Sequence, residues 1–179
     1  VVHDGNNFVF VLRAGAGNAE LVEINTGNSG TINRILNLPE AIDPVNGKNG
    51  MAVATVGGVP TAYAALGRGG LHQINLQTGA VTGSSDVDGT PIFNDVAVDG
   101  TYAYAFAGSR VIILERDGLD EVGSLLQSAL FGGTLANAQA AGMSINSGVV
   151  FTSGGETYLA VAAGGAGVYI LRVVNTTAS

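Results

Sequence analysis

The sequence predicts an all-β fold: a β-propeller built from four-stranded antiparallel blades, with about three and a half to four blades in this chain. The first observation is an internal repeat, because residues 53–76 align without a gap on residues 150–173 at a constant offset of 97. The second is composition, because 28 glycines divide the apolar residues into short runs. A period of about 40–50 residues made of short strands and tight turns is typical of propeller blades.

Four repeats are predicted, near residues 1–36, 50–85, 94–126 and 143–173, with residues 174–179 as a tail or linker. Each repeat is interpreted as strands A to D of one blade, joined by turn residues. Residues 1–5 resemble residues 96–100, so we expect the first repeat to start inside an A strand. Its B, C and D strands are predicted at 7–13, 19–24 and 31–36.

The second and third repeats contain all four strands. The second has A to D at 51–56, 62–66, 71–76 and 80–85, and the third has them at 94–98, 101–107, 110–115 and 119–126. Asp99-Gly100 is predicted as a two-residue hairpin turn of the type that tolerates positive φ. We expect one buried face in each B and C strand to come from the set Ala103, Ala105, Val111, Ile113, Ala160, Ala162, Val168 and Ile170.

The fourth repeat has A, B and C strands at 149–152, 157–163 and 168–173 but no D strand. A closed ring normally completes its last sheet with strands from both termini, and these termini do not supply complementary strands. We therefore expect part of a longer propeller. The alternative is a compact four-bladed ring with two imperfect blades. Free blade edges pair readily with another chain, so we expect a homo-oligomer or association with the rest of a longer propeller.

Two connections between D and A strands are long, at residues 37–49 and 127–141. The second has room for one or two helical turns, interrupted by Gly132-Gly133. Connections of this length between short strands are usually functional or mobile.

Charge and composition exclude several classes of function. The net charge of −7 argues against nucleic acid, because binding a polyanion requires an excess of Lys and Arg. The chain has no cysteine, which excludes disulfides and thiolate metal sites. No apolar run approaches the length of about 20 residues that spans a bilayer. The chain starts at Val1 without a methionine, so we expect a processed or excised product.

The B–C pieces of three repeats, TYLAVAAGGAGVYILRV, TYAYAFAGSRVIILER and TAYAALGRGGLHQINL, carry a resemblance to a known family. Together with DVAVDG at residues 95–100, they resemble the LVIVD-type repeat of bacterial and archaeal surface propellers. The resemblance covers most of the chain except the two long connections. It implies an extracytoplasmic propeller: secreted, periplasmic or at the cell surface. The first repeat departs from the pattern with the longer loop AGAGN at residues 14–18.

Motifs for metal or cofactor chemistry are weak. The chain has only two histidines, His3 and His72, and a zinc site requires further ligands brought to them by the fold. Asp86 and Asp88 resemble half of a calcium loop but lack the distal ligands, so a plain turn is the simpler interpretation. The run GAGNAE at residues 15–20 lacks the final glycine of a dinucleotide fingerprint and lies between two strands. No cofactor, metal or catalytic residue is predicted.

Basic residues recur at one predicted end of the blades. Arg13, Arg68 and Arg110 fall at the B–C turns of successive repeats, and Lys48 lies on a D–A connection, which emerges at the same end. Arginine forks suit carboxylates and phosphates. Solubilising turn residues are the alternative interpretation of this set. The predicted binding residues are therefore Arg13, Lys48, Arg68 and Arg110, facing a protein or an acidic glycan.

Two functions remain open at this stage. The preferred one is a non-enzymatic secreted or cell-surface propeller that acts as a protein- or glycan-binding scaffold. The alternative is a propeller enzyme, a hydrolase or a quinoprotein-like oxidoreductase, whose active site lies largely in blades outside this chain. Repeats without a catalytic constellation favour the scaffold.

Overall fold

The computed structural model describes residues 2–3, 8–42, 49–85 and 92–174. These residues form four antiparallel sheets, which we call blades 1 to 4, and each sheet pairs its strands in chain order. Blade 1 has four strands: β1 (Val2–His3), β2 (Phe8–Ala14), β3 (Ala19–Asn25) and β4 (Thr31–Asn37). Blade 2 has β5 (Met51–Val56), β6 (Val59–Ala65), β7 (Leu71–Asn75) and β8 (Val81–Ser85).

Blade 3 also has four strands, and blade 4 has three. The strands of blade 3 are β9 (Asp95–Val98), β10 (Tyr102–Phe106), β11 (Arg110–Glu115) and β12 (Glu121–Leu126). Those of blade 4 are β13 (Ser147–Ser153), β14 (Glu156–Ala162) and β15 (Val168–Val173). The all-β prediction is confirmed, and the predicted strands lie within a few residues of the observed ones.

The connection between blades 3 and 4 contains two short helices, α1 (Gln127–Phe131) and α2 (Leu135–Ala140). Gly132 ends α1 with a φ of 72°, a left-handed conformation that glycine adopts at low cost. The Thr134 side chain caps α2 by accepting a hydrogen bond from the Asn137 amide. The sequence predicted room for one or two helical turns interrupted at Gly132-Gly133, and the structure has two short helices on either side of these glycines.

The turns between the first two strands differ among blades. Gly57-Gly58 and Gly154-Gly155 all have positive φ, as the two-residue turn of a hairpin requires. The sequence also predicted a two-residue hairpin turn of this type at Asp99-Gly100. That prediction is wrong, because neither residue has positive φ. There the Asp99 carboxylate accepts hydrogen bonds from the Thr101 and Tyr102 amides, both at 2.7 Å. A side-chain acceptor therefore holds this turn in ordinary backbone conformations.

Three blades share a register shift between their third and fourth strands, at Glu23/Ile24, Gln73/Ile74 and Ile113/Leu114. A bulge of this kind increases the twist of the outer strand. Near the third one, Leu119 has a φ of 67° and a buried side chain, so it belongs to the turn and not to the predicted fourth strand. Burial of the leucine side chain offsets the cost of the left-handed backbone.

Each pair of neighbouring blades encloses its own apolar core. Blades 1 and 2 meet around Phe10, Leu21 and Ile74, and blades 2 and 3 meet around Tyr63, Leu71, Ala105 and Ile112. Blades 3 and 4 meet around Tyr104, Phe106, Leu159 and Val161, with Ala138 and Ile145 from the connection. Small alanines on β6 and β10 allow the sheets to approach each other closely.

Neither outer face of the array is covered. On blade 4, Val168 and Ile170 are 68% and 66% exposed, so the expectation that they belong to a buried face is wrong. The buried face of β14 contains Leu159 and Val161, and its other face, with Ala160 and Ala162, points away from blade 3. A closed four-bladed ring would cover these residues, so that alternative is also wrong. The described residues form a partial propeller.

Candidate functional site

One end of the blades gathers the β2–β3, β6–β7, β10–β11 and β14–β15 turns and the connections that lead to the next blade. We call it the B–C end. Two of these turns each pair with a residue that lies just before the first strand of the next blade. Gly67 and Phe93 exchange two backbone hydrogen bonds of 3.0 Å, and Gly108 and Ile145 exchange two of 2.7 Å. Each bridge therefore fixes a turn of one blade against the segment that leads into the next blade.

The three predicted arginines all lie at this end, as the antiparallel order of the strands requires. Arg68 is in the β6–β7 turn, and Arg110 is the first residue of β11. Arg13 lies near the end of β2 and forms an ion pair of 2.7 Å with Glu20. That pairing compensates the Arg13 charge on the uncovered face of blade 1. Lys48 lies outside the described residues. A shared anion site formed by Lys48 and the three arginines stays a prediction.

A row of asparagines crosses the B–C end, and sequence reasoning missed it. Asn49, Asn94 and Asn146 each stand just before the first strand of their blade. Asn94 donates to the Asn146 side chain at 3.2 Å, Ser144 donates to the same oxygen at 2.9 Å, and Asn49 donates to the Ala65 carbonyl at 3.1 Å. The signal was available, because the offset of 97 that relates the repeats also relates Asn49 to Asn146.

The Asp95 carboxylate lies beside this row, at the start of β9. It accepts a hydrogen bond from the Val96 amide at 2.9 Å and is also bonded by Ser147 and Gly148 of blade 4. Burial raises the pKa of the Asp95 carboxyl, and these hydrogen bonds partly oppose that shift. Gly50 of blade 2 lies directly against it, where a Cβ would be 1.7 Å from the carboxylate oxygen. Asp95 therefore links three blades.

A cleft of about 400 Å³ opens between the outer strands of blades 3 and 4. Its walls are mostly apolar, with Arg172 at one side, and include Tyr102, Tyr104, Ile113, Leu159 and Leu171. The Tyr104 hydroxyl donates to Asp99 at 2.6 Å. Burial is the main reason that the pKa of Tyr104 lies above its usual range. The cleft lies where a fourth strand of blade 4 would pack, beside the free edge of β15.

Among the residues that the structure describes, no cluster of three or more His, Cys, Asp or Glu side chains could hold a metal ion. His72 is buried, with Nε2 at 2.8 Å from the Gly69 carbonyl oxygen. The side chain of His3 and the weak calcium candidates Asp86 and Asp88 lie outside the described residues. Among the helices described, none is long and apolar enough to cross a membrane.

Comparison with known proteins adds information about the fold. No protein-family model matches the sequence, and no curated protein is significantly similar to it. Solved structures do match. Sqt1 of Saccharomyces cerevisiae has a TM-score of 0.63 at 15% identity, with 94% of this chain covering 43% of that one. BamB of Moraxella catarrhalis has a TM-score of 0.56 at 12% identity. That match covers 98% of this chain and 52% of BamB.

The chain has a β-propeller fold. A third match, glutaminyl cyclase of Myxococcus xanthus, has a TM-score of 0.51 at 17% identity and is covered over 72% of its length. The chain spans about half the length of BamB and Sqt1. At these identities the matches show the architecture and not the activity. The resemblance to LVIVD-type repeats stays a prediction.

Proposed function

We propose that this chain belongs to a non-enzymatic propeller, secreted or at the cell surface, that binds a carboxylate-bearing partner at its B–C end. The partner is a protein loop or an acidic glycan. The observation that carries the proposal is the placement of Arg68 and Arg110 at the same end of adjacent blades. The Gly67–Phe93 bridge joins the turn that contains Arg68 to the residues that lead into blade 3, the blade that carries Arg110.

The physical basis of binding is the planar guanidinium group, which meets a carboxylate with two parallel hydrogen bonds. Gly67 is buried and Gly108 is half-buried, and the bridges to Phe93 and Ile145 use their backbone amides and carbonyls, so the arginine side chains are the groups that a partner would contact. The asparagine row supports this region from within, because the Asn49 amide donates to the Ala65 carbonyl and the buried Asn94 amide donates to Asn146. Because the net charge of the chain is −7, long-range attraction of an anion is weak. We therefore expect modest, salt-sensitive affinity.

Binding is tested with two carboxylate probes, polygalacturonate and poly-L-glutamate, against neutral dextran. We expect the wild-type chain to bind at least one carboxylate probe in low salt. This binding should weaken as the salt concentration rises. Arg68→Ala and Arg110→Ala should each weaken binding about tenfold, the equivalent of one charge-assisted hydrogen-bonded pair. The two probes distinguish a glycan partner from a protein loop.

The matched control is Arg172→Ala. Arg172 is an exposed arginine that pairs in register with Tyr158, near the opposite end of blade 4. Binding should be unchanged in this variant. Equal losses in all three arginine variants would show nonspecific attraction to positive charge, and no binding of either probe would refute the carboxylate assignment.

A further inference from the structure

The two outer faces of the blade array are both apolar, and none of the described sheets packs on either. The face of blade 4, which we call the trailing face, consists of Val149, Phe151, Ala160, Ala162, Val168 and Ile170. The face of blade 1, the leading face, consists of Val9, Val11, Val22, Ile24, Ile32 and Ile35. On it Ile32 and Ile35 are exposed, three residues are half-buried and Val22 is buried. Exposed apolar patches of this continuity mark interaction surfaces.

The internal repeat shows what the trailing face is built to contact. At the offset of 97, its six residues correspond to Ala52, Ala54, Tyr63, Ala65, Leu71 and Gln73 of blade 2. Tyr63, Ala65, Leu71 and Gln73 are buried, and all but Gln73 belong to the core that blade 2 shares with blade 3. The corresponding surface of blade 4 therefore has the form of a surface that receives a following blade.

The leading face has the complementary form. In blade 3, Ala105 and Ile112 pair across β10 and β11 and pack on blade 2. In blade 1 the corresponding pair across β2 and β3 is Val11 and Val22, which points away from blade 2. The leading face thus has the form of a surface that packs on a preceding blade.

Side-chain volumes are exchanged between the two faces at part of the contact. Between blades 2 and 3, the large Tyr63 and Leu71 share a core with the small Ala103 and Ala105. The trailing face has the smaller Ala160 and Val168 where blade 2 has Tyr63 and Leu71. The leading face has valines at 9 and 11 in its second strand, where blade 3 has alanines. At these positions a smaller residue on one face meets a larger one on the other, whereas Val149 and Phe151 of the trailing face are larger than the corresponding Ala52 and Ala54.

Charge does not oppose contact between the two faces. The leading face carries the Arg13–Glu20 ion pair, and the trailing face carries the Arg172–Glu156 pair, at 2.7 Å and 3.7 Å. Each pair compensates its own charge, so bringing the faces together does not set like charges against each other. The central part of each face is free of charged residues.

We propose that a second copy of this chain covers both faces, with the leading face of each copy packed on the trailing face of the other. Two sets of four blades then form one closed ring of eight, within the range of four to eight blades that propellers usually have. A head-to-tail contact closes when its rotation divides the circle. The chain covers 52% of BamB and 43% of Sqt1, so about half of each of those structures lies beyond the part that this chain matches.

The test is the mass of the 179-residue chain in solution, measured by light scattering after size exclusion and by sedimentation over a concentration series. The expected species is a dimer of about 36 kDa, twice the 17.9 kDa of one chain. Ile170→Glu on the trailing face and Ile35→Glu on the leading face should each weaken the dimer about tenfold or more. Val81→Glu is the control, because Val81 is an exposed apolar residue on the outer strand of blade 2.

Far-UV circular dichroism shows whether each variant remains folded. If a Glu variant loses its β spectrum, Ile170→Thr and Ile35→Thr replace it, because threonine keeps the branched shape that strands favour. A wild-type monomer at all concentrations overturns the proposal, as does an open-ended polymer. Dissociation by the Ile170 variant alone also overturns it, because it would show two trailing faces packed on each other.

Discussion

Leu114→Ala probes the core between blades 2 and 3. Leu114 lies on β11 and is fully buried, in contact with the cluster that includes Tyr63 and Ile112. The substitution removes three carbon atoms, each worth about 0.8 kcal/mol of transfer free energy, or about 2.4 kcal/mol. The residual cavity adds to this, because sheets on both sides restrict collapse. The expected loss of unfolding free energy is about 3–4 kcal/mol.

Leu126→Ala is the matched control. Leu126 ends β12 in the same blade and is 52% exposed. Its substitution therefore loses only about half of the transfer free energy of the three carbon atoms, and solvent fills the space that they leave. The expected loss is about 1 kcal/mol. Urea unfolding followed by circular dichroism measures the unfolding free energy of both variants. In thermal unfolding of a chain of this length, Leu114→Ala should lower Tm by about 6–16 °C. A loss within about 0.5 kcal/mol for Leu114→Ala, the norm for surface sites, would refute the placement of its side chain in this core.

Three further predictions concern single contacts. Gly50→Ala should reduce folded yield, because its Cβ would overlap Asp95, whereas Gly100→Ala meets nothing within 4 Å and should express normally. Burial raises the pKa of Tyr63 from 10.0 to about 12, so the folded state retains a proton that the unfolded state loses, and stability should fall between pH 10 and 12. In the Tyr63→Phe variant, the unfolding free energy measured by urea titration should decrease less between pH 10 and 12 than it does in the wild type. Thr134→Ala removes the α2 cap and should cost about 1 kcal/mol locally, measured by faster amide exchange in α2.

The strand pattern was predictable because it depends on local chemistry. Gly57-Gly58 and Gly154-Gly155 supply the positive φ that tight hairpins require, and the alternating residues between turns form strands. Gly132-Gly133 similarly marked the break between the two helices. Errors arose where a side chain, and not the backbone preference, decided the conformation. Asp99 holds its turn by accepting amide hydrogen bonds, and Leu119 adopts a left-handed conformation because its side chain is buried.

The candidate site was predictable only in part. Antiparallel order places Arg13, Arg68 and Arg110 at one end of the blades, and that order follows from counting strands. The ion pair between Arg13 and Glu20 depends on cross-strand register, which the sequence alone did not supply. The asparagine row was visible as a repeat at the offset of 97, but its hydrogen bonds depend on how closely neighbouring blades approach.

By itself, the sequence determined the number of repeats, the order of the strands and the propeller architecture, because these depend on periodicity and turn chemistry. Only the tertiary structure decided which face of each strand is buried. Both faces of a blade are apolar, so alternation along a strand does not distinguish them. Ile112 is fully buried and Ile170 is mostly exposed, although both lie on the third strand of a blade. The difference is the presence of a neighbouring sheet, which is a property of the assembled array.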